Sequence, residues 1–538
     1  TFMEHIDRES HLGRDEYDYS IKGDMHSYFG EAHGRYKRPI VCQDYEAPID
    51  IFDRHLYEKG GAVLHMLRRE LGDTLFWLGV KTYLSRHSKG VVETRDLMRA
   101  MEEVSGRSLE RFFEQWIFRA GHPELDVKIE LEKRVCTIAI KQTQAGTTGG
   151  AGGSPGAPET TTPLFAFDLA FDLTFDDGTT RREVRHVDQA SHTFSFNVPS
   201  RPRFIVVDPE QTVLAEVKLE APGDLLRNQL AHAPTARGRM LATTRLGKTD
   251  DPPSTQALAA SLGDEKEFWG VRAEAASALG HLRSSDAEKA LLAHVATAHP
   301  KVRRVVASAL GAFRTAQAAD ALRSMALRDA SYLVEAEAAR ALGSTRQSAA
   351  FDTLIDILDR PSWADVIRSG AIDGLANLRD ERAVPHVIAR TRYGVPTRGR
   401  RAAIMAISKL AEGRKARETL EDMLDGTDPY LRVDVVRSLG ELGDPKSRGA
   451  LHRQLDRELD GRVRRRIREV LRDLGGAGKR ESDRLKDELE SLRGEHSELK
   501  SRLGKLEALL APSRAEDEKK KPAKAEKKAA PHQGRGKK

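Results

Sequence analysis

Seven variants of one ten-residue pattern constrain this chain more than any other feature. They read VRAEAASALG (Val271–Gly280), VRRVVASALG (Val302–Gly311), VEAEAARALG (Val334–Gly343), IRSGAIDGLA (Ile367–Ala376), AAIMAISKLA (Ala402–Ala411), LRVDVVRSLG (Leu431–Gly440) and VRRRIREVLR (Val463–Arg472). Their anchoring leucines, Leu279, Leu310, Leu342, Leu375, Leu410, Leu439 and Leu471, lie 29 to 35 residues apart. That period holds two short helices and their turns, and one such unit cannot bury its apolar face alone. Stacking does bury it, so residues 223–476 are expected to form an α-solenoid. Small residues such as Ala275, Ala278 and Gly280 let neighbouring helices stack closely.

The 538 residues leave room for about three or four domains. Residues 1–122 read as helical. Leu97, Met98, Met101 and Val104 form one face after a cap at Thr94, and Leu109, Phe112, Phe113, Trp116 and Ile117 form another after Ser108. Beyond Pro123 the apolar period drops to two, in LDVKIELE, VCTIAI, LFAFDLAFDLTF, HTFSFNV and RFIVVD, with Asp177-Gly178 as a hairpin turn. Residues 123–222 are therefore expected to be a β-sandwich of about seven strands. Within it, residues 145–163 hold almost only Gly, Ala, Pro, Ser and Thr, and are expected to be a disordered loop.

At the far end, Leu485, Leu489, Leu492, His496, Leu499, Leu503, Leu506 and Leu510 alternate steps of four and three. Residues 480–511 thus read as a coiled-coil helix that could self-associate, and residues 512–538 as a disordered basic tail. The tail accounts for the whole net charge of +6, since the remaining residues balance. Nucleic acid is therefore an unlikely partner except through weak contacts of the tail. No run of eighteen apolar residues exists to span a membrane, and two distant cysteines, Cys42 and Cys136, exclude a disulfide scaffold. The chain opens on Thr1 with helical sequence and reads as the continuation of a domain begun upstream. That leaves the compartment open, the cytoplasm being slightly favoured.

The stretch HLYEKGGAVLHMLRRELGD (His55–Asp73) carries the chemistry. Val63, Met66, Leu67 and Leu71 share one helical face, Arg68, Arg69 and Glu70 lie off it, and Tyr57 stands at the start of the helix. Together with LGDTLFWLGVKTYLSRH, ETRDLMRAMEEVSGRSLERFFEQWIFRAGHPEL and FIVVDPEQTVLAEV, this block resembles the aminopeptidase N family of zinc metallopeptidases, the gluzincins. The solenoid repeats resemble the short HEAT-like repeats. The fold class implied is multidomain and mainly α: part of a gluzincin helical catalytic domain, a β-sandwich, a HEAT-like solenoid, a coiled coil and a tail.

The resemblance implies that Tyr57 donates a hydrogen bond to the oxyanion formed on the scissile carbonyl. It also implies zinc as cofactor. No HExxH occurs in the 538 residues, and Thr1-Phe2 look like the residues that follow the family's third-ligand glutamate. The zinc ligands are therefore expected to lie outside this chain, in a full-length parent, and the chain alone is expected to be inactive. His5, His11, His26 and His33 lack the spacing of zinc ligands and read as surface residues. Two function classes follow. One is the C-terminal portion of a zinc aminopeptidase acting on peptide substrates; the other is a non-catalytic, aminopeptidase-like scaffold that binds a protein partner on its solenoid.

Overall fold

The computed structural model describes residues 1–45, 47–144, 162–249, 251–411 and 413–475. The coiled-coil and tail expectations, and nearly all of the 145–163 loop, lie outside the described residues. Thr1–Leu471 form one compact unit and Arg472 begins a second. The architecture is mainly helical, with β-sheet elements and solenoid-like helix packing.

Helices α1 (Phe2–Leu12), α2 (Arg14–Gly34), α3 (Gly60–Leu71), α4 (Asp73–Arg86), α5 (Thr94–Ser105) and α6 (Glu110–Trp116) come first. The apolar faces read from the sequence are inward: Val63, Met66, Leu67, Met101, Phe113 and Trp116 are all buried. Arg68 departs from its expected place off the buried face. It is 6% exposed, because Glu9 and Asp73 accept from its guanidinium while Tyr17 and Trp77 cover it. The cap of α5 is Glu93, one residue before the expected Thr94, and Asp96 accepts from the Glu93 N–H. The helix ends at Gly106, whose φ of 65° is the left-handed conformation of a C-cap.

Seven strands follow: β1 (Glu124–Glu132), β2 (Val135–Gln142), β3 (Phe167–Thr174), β4 (Thr180–Val187), β5 (Ser191–Asn197), β6 (Phe204–Val207) and β7 (Glu216–Glu220). They make a four-stranded sheet, order β5-β2-β1-β7, and a three-stranded sheet, order β4-β3-β6. Asp177-Gly178 forms the β3–β4 turn, with Thr179 donating back to Asp177. Among the described residues only the β1–β7 pair is parallel, and it sets Glu124 directly beside Glu216. Helices α1–α6 share one continuous apolar core with this sandwich, from Phe2 and Tyr17 to Phe171 and Val213.

All seven repeat copies are helical: Trp269–Leu282, Pro300–Leu310, Tyr332–Ser344, Val366–Leu378, Thr397–Leu410, Pro429–Leu442 and Gly461–Gly475. Their seven leucines are at most 8% exposed. Close stacking is most severe at Gly343, where a Cβ would collide with the Gly374 carbonyl. The solenoid meets the N-terminal helices twice. Near its start Glu16 accepts from the Trp269 indole at 2.5 Å and Glu274 pairs with Lys22. Near its end Arg465 donates to the Asp50 carbonyl at 2.6 Å and to the Tyr36 hydroxyl at 2.8 Å, and Glu469 pairs with Arg35.

Candidate functional site

Tyr57 lies on one wide helical turn, His55–Lys59, that leads into α3. The Lys59 N–H reaches back five residues to the Arg54 carbonyl, which opens the turn. Asp53 anchors it. Its Oδ1 accepts from the N–H groups of His55 and Leu56, and its backbone carbonyl from those of Leu56 and Tyr57. Arg38 in turn fixes Asp53 through Nε to Oδ2 at 2.8 Å and Nη2 to Oδ1 at 2.5 Å, and Tyr36 donates to Oδ2 at 2.7 Å. Burial alone would raise the Asp53 carboxyl, but Arg38 and Tyr36 outweigh it and hold it below the ordinary value.

The turn presents Tyr57, 44% exposed, to a cavity of about 510 Å³. Thr1, Glu4, Asp24, Glu31, Phe52, Asp53, Arg54 and Glu58 complete its wall. The wall is rich in carboxylates, but four of the five are matched: Asp53 by Arg38, Glu31 by Arg35, Asp24 by His5 and Glu58 by Arg54. The Phe52 ring, 6.0 Å from that of Tyr57, forms an apolar rim. Behind the wall, His5 is buried rather than at the surface, because its Nε2 pairs with Asp24 at 2.6 Å and its Nδ1 with Ser20 at 2.7 Å. His11 and His26 are exposed as expected.

Lys59, of the YEKGG segment, is fully buried, and its ammonium donates to the carbonyls of Arg119 and Gly121. Burial, then the nearby Arg38, lower its pKa to about 7. Lys59 stands in the segment that carries the family resemblance, but no local pattern marks it as buried.

The expectation that all metal ligands lie outside the chain is corrected by the structure. Among the described residues two groups, Glu31–Asp53–His55 and His33–His122–Glu124, each bring three ligand atoms within 4.8 Å of one another. Sequence reasoning missed both, because each joins segments that only the tertiary fold brings together.

The first group borders the Tyr57 cavity, but its carboxylates are committed. Asp53 is held by Arg38 and Tyr36, while Glu31 accepts from Arg35 and from the Arg54 N–H. Burial would raise Glu31, and His55, the Arg54 N–H and Arg35 together bring it down to about 2. His55 is fully buried, 3.7 Å from each carboxylate, and burial lowers its pKa. A set whose acids are already neutralised by guanidinium groups does not fit a catalytic zinc ion.

Residues 3–116 match the profile described as the Peptidase family M1 domain. Residues 264–334, 324–408 and 395–472 match that of HEAT repeats. Aminopeptidase N of Streptomyces lividans is 34% identical over 120 residues, 22% of this chain and 14% of that protein. Aminopeptidase N of Lactococcus lactis subsp. lactis is 36% identical over 80 residues, 15% of this chain and 9% of that protein. The matches thus span about a seventh or less of these relatives. A crystal structure of Legionella pneumophila aminopeptidase A in complex with aspartic acid shares the fold at a TM-score of 0.61 and 15% identity. That likeness covers 87% of this chain and 61% of the other. The class these findings define is a protein with an M1-peptidase-like helical segment and a HEAT-repeat region. No helix among the described residues is long and apolar enough to cross a membrane.

Proposed function

We propose that this chain forms the tyrosine-bearing side of a metallo-aminopeptidase site, where the N-terminal residue of a peptide is removed. The observation that carries it is Tyr57, exposed on the wall of an acidic cavity inside the segment homologous to the M1 domain. Carboxylate oxygens of the wall accept from the α-ammonium of the peptide, and the phenol O–H donates to the carbonyl oxygen as it gains negative charge. One such donor is worth roughly 2.7 to 4 kcal/mol in the transition state. Asp53 and Arg38 act as positioning residues for the turn.

The test is Tyr57→Phe in the protein that contains this chain, assayed on an aminoacyl anilide. The expected result is a fall in kcat of about 100- to 1,000-fold with KM nearly unchanged. An unchanged kcat would overturn the assignment.

A second reading is an aminopeptidase-like scaffold that binds a protein partner. It draws on Trp363 and Tyr393, 70% and 95% exposed on the solenoid, residue types that anchor protein interfaces. Hydrolysis that is lost with Tyr57→Phe would set this reading aside.

A further inference from the structure

The second group of ligand atoms differs from the first in what surrounds it. His33 closes the last turn of α2, His122 follows Gly121, and Glu124 opens β1 beside its register partner Glu216 on β7. The Tyr28 hydroxyl lies 3.2 Å from both the Gly121 carbonyl and His122 Nδ1; when it donates to the carbonyl, it accepts from the His122 Nδ1–H. His122 Nε2 is then a bare lone pair, and it is buried with no hydrogen-bond partner in a residue of 0% exposure. On the other side, His33 Nε2 lies 2.7 Å from Glu216 and its Nδ1 4.0 Å from Glu124 Oε1, so a ring that donates through Nε2 turns Nδ1 toward Glu124 as the ligand atom.

We infer that His33 Nδ1, His122 Nε2 and Glu124 bind a divalent transition-metal ion of the zinc class, which ties α2 to the β1–β7 edge of the sandwich. Two neutral imidazoles and a carboxylate are a donor set for zinc or cobalt(II), with water in the fourth position. Glu216 behind His33 and Tyr28 behind His122 are the outer partners that fix ring orientation at such centres. Tetrahedral donors sit roughly 3.3 Å apart, given metal–ligand bonds of about 2.0 to 2.1 Å. The 4.0 Å between His33 Nδ1 and Glu124 Oε1 exceeds that by well under 1 Å, a gap that a small tilt of the half-exposed His33 ring closes with Nε2 still on Glu216. Lys37 is the competitor, since its ammonium lies 2.9 Å from the same Glu124 Oε1 and a metal ion displaces it. Of these residues none lines the Tyr57 cavity, so the site stands apart from the proposed peptidase chemistry.

The experiment is a titration of the tag-free 538-residue chain with cobalt(II), read by its visible d–d bands, followed by displacement with zinc. The expected result is one ion per chain with a four-coordinate spectrum. His33→Ala abolishes the bands, Glu216→Gln weakens binding about 10- to 100-fold, and Lys37→Met tightens it. Glu31→Gln, in the other group, leaves it unchanged. His33 is half exposed, so its variant is expected to melt like the parent without metal. Absence of the bands in the unaltered chain, or their survival in folded His33→Ala, would overturn the proposal.

Discussion

The Arg38–Asp53 pair offers the sharpest quantitative test of how the Tyr57 turn is held. Both side chains are 2% exposed, and the carboxylate accepts two guanidinium bonds, one phenol bond and two backbone bonds. Asp53→Asn isolates the charge from the cap, because the amide oxygen can still accept from the His55 and Leu56 N–H groups. What it removes is the negative partner of a buried cation, and it sets an NH2 donor against the Arg38 and Tyr36 donors. Breaking a buried pair from one side costs about 3 to 5 kcal/mol. Hydrogen exchange read by mass spectrometry over residues 47–60 should therefore show a local opening free energy lowered by that amount. The paired replacement Arg38→Met with Asp53→Leu removes both charges, and should restore part of that loss while leaving the cap on the His55 and Leu56 N–H groups weakened. The pH profile has a defined sign. Asp53 titrates below its ordinary range in the folded chain, so its stabilisation is complete above the unfolded pKa and is lost as acid takes the pH through the folded value. Exchange in Asp53→Asn within about 1 kcal/mol of the parent would refute the claim that this pair anchors the turn.

Lys59 gives the opposite slope. With a folded pKa of about 7 against an ordinary 10.5, the unfolded chain holds a proton that the folded chain has released between those values. Stability should thus rise with pH across that window, by up to about 5 kcal/mol, and Lys59→Met should flatten the rise; the same change in urea midpoint from pH 7 to 9 in Lys59→Met as in the parent would count against it. Gly343→Ala should lower the melting temperature despite better helix propensity, because its Cβ meets the Gly374 carbonyl at a cost of roughly 1 to 3 kcal/mol. An unchanged or raised melting temperature would contradict the stacking. Arg465→Ala combined with Arg35→Ala should speed amide exchange in residues 463–471 while leaving 269–282 protected. Equal protection of both segments would show that the terminal contact is not what holds the solenoid's last repeat.

How much was legible in the sequence follows from the range over which each signal acts. The repeat helices and the faces of α3 and α5 were readable because spacings of three and four within one helix decide which side is apolar. The YEKGG block was readable as a resemblance, and Tyr57 does reach a cavity. Arg68 was not readable as buried, because its carboxylate partners Glu9 and Asp73 and its ring partners Tyr17 and Trp77 come from three other helices. The same holds for His33, His122, Glu124 and Glu216. Their meeting depends on a parallel β1–β7 pairing that joins residues far apart in the chain, and no local pattern announces it. His5 went unrecognised as buried for a smaller reason: its partners Ser20 and Asp24 lie on the next helix, across a turn at Gly13.

The most direct test of the proposed function compares two ligands in the protein that contains this chain. One is a phosphinic dipeptide, whose tetrahedral P–O⁻ imitates the oxyanion; the other is a free amino acid, which has no such group. If Tyr57 donates to the oxyanion, Tyr57→Phe should weaken the phosphinic ligand by the same factor as it lowers kcat/KM, about 100- to 1,000-fold. Amino-acid binding should be unchanged. Equal affinity of the phosphinic ligand for both proteins would contradict the account.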